Sequence, residues 1–191
     1  NAITVSARDA AGNISSAAVN ILYDVTPPSA PIVNPVTSPT KDATVNLSGT
    51  KEADTSVWIN NIKILERNSS TAWQYTYTLQ SGSNTLNITS KDAAGNQSSA
   101  ATLTIIRDNA APVIESSVPV NNSNTAKVVS SVTINLTDTY SAVDLTGSTT
   151  GATVKNAAGL AISGVWTTSG TKTIVFTPSN PFPEDTYTVT I

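Results

Sequence analysis

The chain has 191 residues, of which 10 are basic and 13 acidic, for a net charge of −3, and it contains no Cys, His or Met. Without Cys or His there is no disulfide framework, no usual ligand for zinc, iron or copper, and no Ser-His-Asp or Cys-His nucleophile. Charged residues are 12% of the chain and lack the Lys/Arg clusters that bind phosphate backbones, so no nucleic-acid partner is expected, and no run approaches the ~20 apolar residues of a membrane span.

The first element in chain order is recognised by its second occurrence. Residues 1–17 align with residues 84–100 at an offset of 83. The match places Asp9-Ala10-Ala11-Gly12-Asn13 on Asp92-Ala93-Ala94-Gly95-Asn96. With one extra residue it runs on to Asp24 against Asp108. A period of this length suits one sandwich-sized domain, not a short solenoid repeat. Residues 1–24 are therefore expected to be the last two strands of one unit, 25–108 a complete unit and 109–191 a third. The chain is expected to begin inside a unit. It is also expected to stop short of the third unit's last strand, because Thr186 to Ile191 reads like the strand ahead of Asp92-Ala93-Ala94-Gly95-Asn96.

In the complete unit, apolar residues alternate at Val45 and Leu47, at Val57 and Ile59, at Leu86 and Ile88, and at Leu103 and Ile105. Trp73, Tyr75, Tyr77 and Leu79 share one parity, which predicts a strand with Trp73 on its core face. Trp58, between Val57 and Ile59, falls on the opposite face and is expected to be exposed. Turn signals punctuate these runs at Ser48-Gly49, Glu52 to Asp54, Asn60-Asn61, Asn68 to Ser70, Ser81 to Ser83 and Ala94 to Asn96. The Asp92-to-Asn96 segment reads as a hairpin turn: Asp accepts from the turn's own N–H groups and Gly supplies a positive φ. Runs and turns together make about seven short strands. No helical stretch is predicted anywhere.

The third unit predicts strands at Val113 to Val118, Val132 to Leu136, Thr153 to Lys155, Ile162 to Trp166, Thr173 to Phe176 and Tyr187 to Ile191. Pro27-Pro28 and Pro112 stand at the starts of units, where proline stiffens a linker.

Residues 25–108 resemble the Ig-like repeat of glucodextranase domain B and of bacterial multidomain surface proteins. The resemblance is carried by Val45 to Thr50, Val57 to Asn61, Leu79 to Thr85 and Asp92 to Asn96. Residues 112–191 resemble the bacterial Ig-like domain of S-layer and related exported proteins, through Val118 to Asn121, Val132 to Leu136, Phe176 to Pro178 and Tyr187 to Ile191. The resemblance implies an all-β fold of tandem antiparallel sandwiches and an extracellular or cell-surface location. It implies a role as spacer, adhesin stalk, surface-layer subunit or accessory module of a polysaccharide enzyme, with no catalytic residue. Neighbouring Ig-like domains, or copies of the same chain, are the expected partners.

Calcium at the domain junctions is the sharpest chemistry the sequence offers. In this topology the turn between the last two strands, F and G, lies near the linker that enters the unit. Asp24 in the linker, Asp92 at that turn, and Glu52 and Asp54 at the B–C turn would then offer a hard oxygen cluster for Ca²⁺. Asp108, with Asp138 or Asp144, would be the equivalent at the next junction. The alternative is that each acid closes its own turn. Trp58, with Trp73, Trp166 and Tyr140 as further aromatics, is the candidate for stacking on a glycan. Acid pairs such as Glu184-Asp185 or Asp138 and Asp144 lack the aromatic cleft that glycoside hydrolysis needs, so no enzyme is expected. Seven Asn-x-Ser/Thr sequons, at Asn13, Asn46, Asn68, Asn87, Asn96, Asn121 and Asn135, follow from a composition rich in Asn, Ser and Thr.

Overall fold

The computed structural model describes residues 2–124 and 129–191; Asn1 of the repeat lies outside them. The fold is all-β and antiparallel within every named sheet, and it divides into two compact units. Unit 1 comprises residues 1–38 and 42–105, and unit 2 residues 39–41 and 106–191.

Unit 1 opens with a hairpin, β1 (Ala2–Arg8) and β2 (Ile14–Asn20), paired from Ala2↔Asn20 to Arg8↔Ile14. A sandwich follows. One sheet has the order β3 (Ile32–Val33), β4 (Thr44–Thr50), β7 (Ala72–Thr78). The other has the order β6 (Ile62–Asn68), β5 (Thr55–Ile59), β8 (Gly82–Lys91), β9 (Ala101–Arg107). Seven strands thus stand where about seven were expected. Between the sheets, Leu47, Val57, Ile59, Trp73, Leu79, Leu86, Ile88 and Ile105 form one buried cluster. Each such side chain contributes roughly 1.5–3 kcal/mol of transfer free energy. The alternation in the sequence is the origin of this arrangement, since every second residue of a strand faces the same side.

Asn60 and Asn61 both have positive φ, 47° and 67°, the geometry of a two-residue hairpin. That turn is tight, so β6 returns beside β5 in the same sheet. Ser48-Gly49, read as a turn signal, instead lies inside β4. Glycine is there because Ile32 of β3 passes so close that a Cβ on Gly49 would stand 1.9 Å from its carbonyl oxygen.

Unit 2 has a four-stranded sheet in the order β10 (Val113–Val118), β11 (Val132–Thr137), β14 (Thr173–Pro178), β13 (Gly164–Ser169). Facing strands β12 (Thr153–Asn156) and β15 (Tyr187–Thr190) pair with each other. Its buried cluster is Ile134, Leu136 and Ile174, flanked by Val132, Val143, Leu145, Trp166 and Val189. Here the strand after β12 joins the opposite sheet. A longer connection, with Gly159 at φ 79°, permits the crossing that the two-residue turn of unit 1 forbids.

Two expectations for unit 2 are corrected. The strand expected at Ile162 to Trp166 begins later, at Gly164, because Ile162 is engaged through its N–H with the Val154 carbonyl. A short helix, α1 (Leu145–Thr149), occupies a stretch where none was predicted. Asp144 caps it by accepting from the Gly147 N–H at 3.0 Å, and Val143 and Leu145 pack on the core. A cap and packing hold a single turn whose Leu-Thr-Gly-Ser-Thr sequence has weak helix propensity.

Candidate functional site

The side chains that the sequence singled out gather, in unit 1, at the end of the sandwich where the chain enters it. The turn between β8 and β9 is closed by Asp92, whose Oδ1 accepts from the Asn96 N–H at 2.9 Å and whose Oδ2 accepts from Asn96 Nδ2 at 2.9 Å. The turn between β1 and β2 repeats this with Asp9 and Asn13 at 2.8 and 2.7 Å. In each case the Asn side-chain bond, followed by backbone N–H bonds, holds the carboxyl below its ordinary value of 3.8.

The entering segment, Asp24 to Ser29, is held on this end by three bonds. Asn96 Nδ2 donates to the Asp24 carbonyl at 3.2 Å. The Ser29 N–H donates to Glu52 Oε2 at 2.9 Å, and Ser90 Oγ donates to the Ser29 carbonyl at 2.9 Å. The linker therefore does run against the turn of β8 and β9 and against the turn that follows β4. Two of the residues that hold it, Ser90 and Asn96, were not among the site candidates read from the sequence.

The acids themselves do not converge. Among the described residues no group of three or more Asp or Glu side chains is placed to hold a metal ion. Asp24 accepts from the Thr26 N–H at 2.9 Å, Glu52 is spent on Ser29, and Asp92 on Asn96. Asp54, at φ 57°, forms the turn through its own N–H to the Asn68 carbonyl. Nearby, Lys51 is a largely buried residue whose Nζ donates to the carbonyls of Glu52 and Asn68 at 3.3 and 3.0 Å. Burial pushes the Lys51 pKa below 10.5, and Asp54 opposes that shift. In unit 2, Asp108 accepts from the Ala110 N–H at 3.3 Å, while Asp138 accepts from the Tyr140 and Ser141 N–H groups at 2.9 and 3.0 Å, so each acid closes its own turn. The Asp138 carboxyl lies below its ordinary value chiefly because the Tyr140 and Ser141 N–H groups donate to it, with smaller help from the Ser141 hydroxyl. Asp144 is elsewhere, capping α1.

Trp58 is half-buried, less open than expected, and lines a shallow groove of about 340 Å³ with Ser56, Lys63, Glu66, Arg67 and Lys91. Lys91 Nζ lies 4.2 Å from the centre of its ring, a cation–π contact that takes up ring surface a sugar would need. The indole N–H donates to Ser56 Oγ at 3.0 Å. Trp73 is buried, as its parity predicted, and its N–H donates to the Ile32 carbonyl at 3.2 Å. Trp166 packs on the core of unit 2, 5.1 Å from Phe176, and Tyr140 is exposed. Asp185 accepts from the Thr186 N–H.

A further pair of residues escaped the sequence reading. At the start of β8 the buried Asn84 accepts from the Gln80 N–H at 2.8 Å and donates to the carbonyls of Gln80, Gly82 and Ile105. At the start of β15, Tyr187 Oη donates to the Pro183 carbonyl at 2.8 Å. Both strands occupy the same place in their sandwiches, and both reach back four residues to pin the chain that leads into them. In Ig folds a tyrosine at this corner does the same.

That tie, with the sheet orders above, defines the sandwich type. Residues 108–191 match the family model described as a bacterial Ig-like domain. No curated protein matches the chain. Ig-like domains of this family are in general non-catalytic and typically occur in extracellular bacterial proteins. No helix among the described residues is long and apolar enough to cross a membrane.

Proposed function

We propose that this chain is a spacer segment of a larger bacterial cell-surface or secreted protein, a stalk of Ig-like modules of the adhesin, S-layer or filament kind, that carries another domain outward. The observation behind this reading is the clamped entry segment. A flexible tether would leave Asp24 to Ser29 without fixed partners. Here Asn96, Glu52 and Ser90 fix it on the sandwich, and Pro27-Pro28 restricts its backbone. A module whose most specific polar contacts serve its own linker transmits orientation and force. The test is backbone relaxation of the Val25, Thr26 and Ser29 amides. Order parameters near ~0.85, as in the strands, are expected; values below ~0.6 would show a tether and overturn the reading. Replacing both Ser90 and Asn96 by Ala should release the segment.

The alternative, an accessory carbohydrate-binding module of a polysaccharide-active enzyme, is favoured by the groove at Trp58, with its three cations and one aromatic ring. Saturable binding of the chain to a polysaccharide, abolished by Trp58→Ala, would displace the stalk reading.

A further inference from the structure

The hairpin of β1 and β2 is incomplete in two respects. Its alternate residues Ile3, Val5 and Val19 lie on one face, because Ile3 is opposite Val19 and Val5 opposite Ala17. That face is open: Ile3 is 49%, Val5 63% and Val19 55% exposed, and Ile21 just beyond is 47% exposed. In addition, β1 has β2 as its single neighbour in the sheet, so its other edge presents free backbone N–H and C=O groups.

The chain itself shows what covers such a hairpin. The repeat aligns Ile3 with Leu86, Val5 with Ile88 and, past the one-residue insertion, Ile21 with Ile105. Leu86, Ile88 and Ile105 are each 0% exposed. They pack against Leu47, Val57 and Trp73 of the earlier strands. The edge of β8 that corresponds to the free edge of β1 pairs with β5, from Ser56↔Lys91 to Ile59↔Ile88. The side chains facing away from that core correspond too: Thr4 aligns with Asn87, which is exposed.

We propose that β1 and β2 are the F and G strands of an Ig-like sandwich, a half-module that a set of strands of the β3-to-β7 type completes. Those strands would pair with the free edge of β1 through a β5-like strand and bury Ile3, Val5, Val19 and Ile21. The interface is the one already formed within unit 1 between β8–β9 and the strands before them. The inference rests on the array reading, because it requires a second module of the same type.

The experiment uses the repeat frame. Residue 84 aligns with residue 1, so a second copy of residues 25–83 joined directly ahead of Asn1 recreates an unbroken unit. The intact chain is retained behind it. In this extended chain the amides of residues 2–20 are expected to exchange at least about 100-fold more slowly than in the parent, with a new cooperative unfolding transition. Val5→Asp should abolish both effects and Thr4→Asp should leave both, since the two residues occupy opposite faces of β1. Unchanged exchange in the extended chain would overturn the proposal, as would equal effects of the two substitutions. Either result would leave the relaxation of residues 25–29 as measured in the parent chain, so this inference and the stalk reading fail separately.

Discussion

Gly49→Ala is a single methyl addition that the structure makes expensive. The new Cβ would stand 1.9 Å from the Ile32 carbonyl oxygen and 2.8 Å from its carbon. Ordinary C···O contacts begin near ~3.3 Å, so Ile32 must withdraw by more than about 1 Å. It belongs to a strand of two residues, Ile32–Val33, paired with Thr50 and Gly49. The cheapest response is for β3 to peel from β4. That loosens ladder bonds at ~1 kcal/mol each and takes the acceptor from the buried Trp73 N–H, a loss of ~1–3 kcal/mol. Together these give a destabilisation of about 2–4 kcal/mol. Urea unfolding followed by tryptophan fluorescence reads it as a lowered midpoint at unchanged slope. Thr50→Ala, an exposed neighbour in the same strand, serves as control and should stay within ~0.5 kcal/mol. If Gly49→Ala also falls within ~0.5 kcal/mol, the close approach of β3 is not what places glycine here.

Asn84→Ala should cost about 2–4 kcal/mol in the same assay, because it strands the Gly82 and Ile105 carbonyls in buried surroundings and removes the partner of the part-buried Gln80 N–H and carbonyl; a loss under ~1 kcal/mol would show the tie to be dispensable. Lys51 makes stability pH-dependent on the alkaline side. Its folded pKa is depressed, so between that value and 10.5 the unfolded chain holds the extra proton and stability rises with pH. Lys51→Met should flatten that rise, and an unaltered slope would refute the assignment. Calcium is tested by melting in Ca²⁺ and in chelator: with Asp24, Glu52 and Asp92 each spent on a turn or linker N–H, the two curves should coincide. A rise of several degrees, lost in Asp92→Ala, would instead put an ion among these carboxylates.

The sequence made legible whatever is written in nearest neighbours. Alternation at Val57 and Ile59 or Leu86 and Ile88 marked core faces, and Asn60-Asn61 marked a turn, which the structure forms with two positive φ angles. The Asp-to-Asn turn showed because its bonds span four residues. What stayed hidden depends on partners far along the chain. Gly49 looks like a turn residue until Ile32 is laid beside it. Asn84 shares the parity of Leu86 and Ile88, but which backbone groups its amide serves shows only when Ile105 comes within reach. Helix α1 is held by Asp144 and by a core assembled from Ile134 and Ile174, so a window on Leu145 to Thr149 carries no periodic signal. The carboxylates are a related case. Their positions along the strands put them at one end, but not which N–H each would meet first.

The two sandwiches also show which features of this architecture are negotiable. The strand after the third moves from one sheet to the other according to the turn before it, two residues at Asn60-Asn61 or a longer passage around Gly159. The tie into the sixth strand does not move: it is an amide at Asn84 and a phenol at Tyr187, each reaching back four residues. Polar chemistry so different in kind at one topological position argues that the constraint is geometric. The chain must cross from the fifth strand in one sheet to the sixth in the other. That crossing leaves backbone polar groups which nearby strands cannot pair, so a side chain from the strand being entered has to satisfy them. The same logic accounts for the linker, whose carbonyls at Asp24 and Ser29 are met by Asn96 and Ser90 from the turn and strand that follow this corner. The specific side chains of unit 1 are thus committed to fixing irregular backbone.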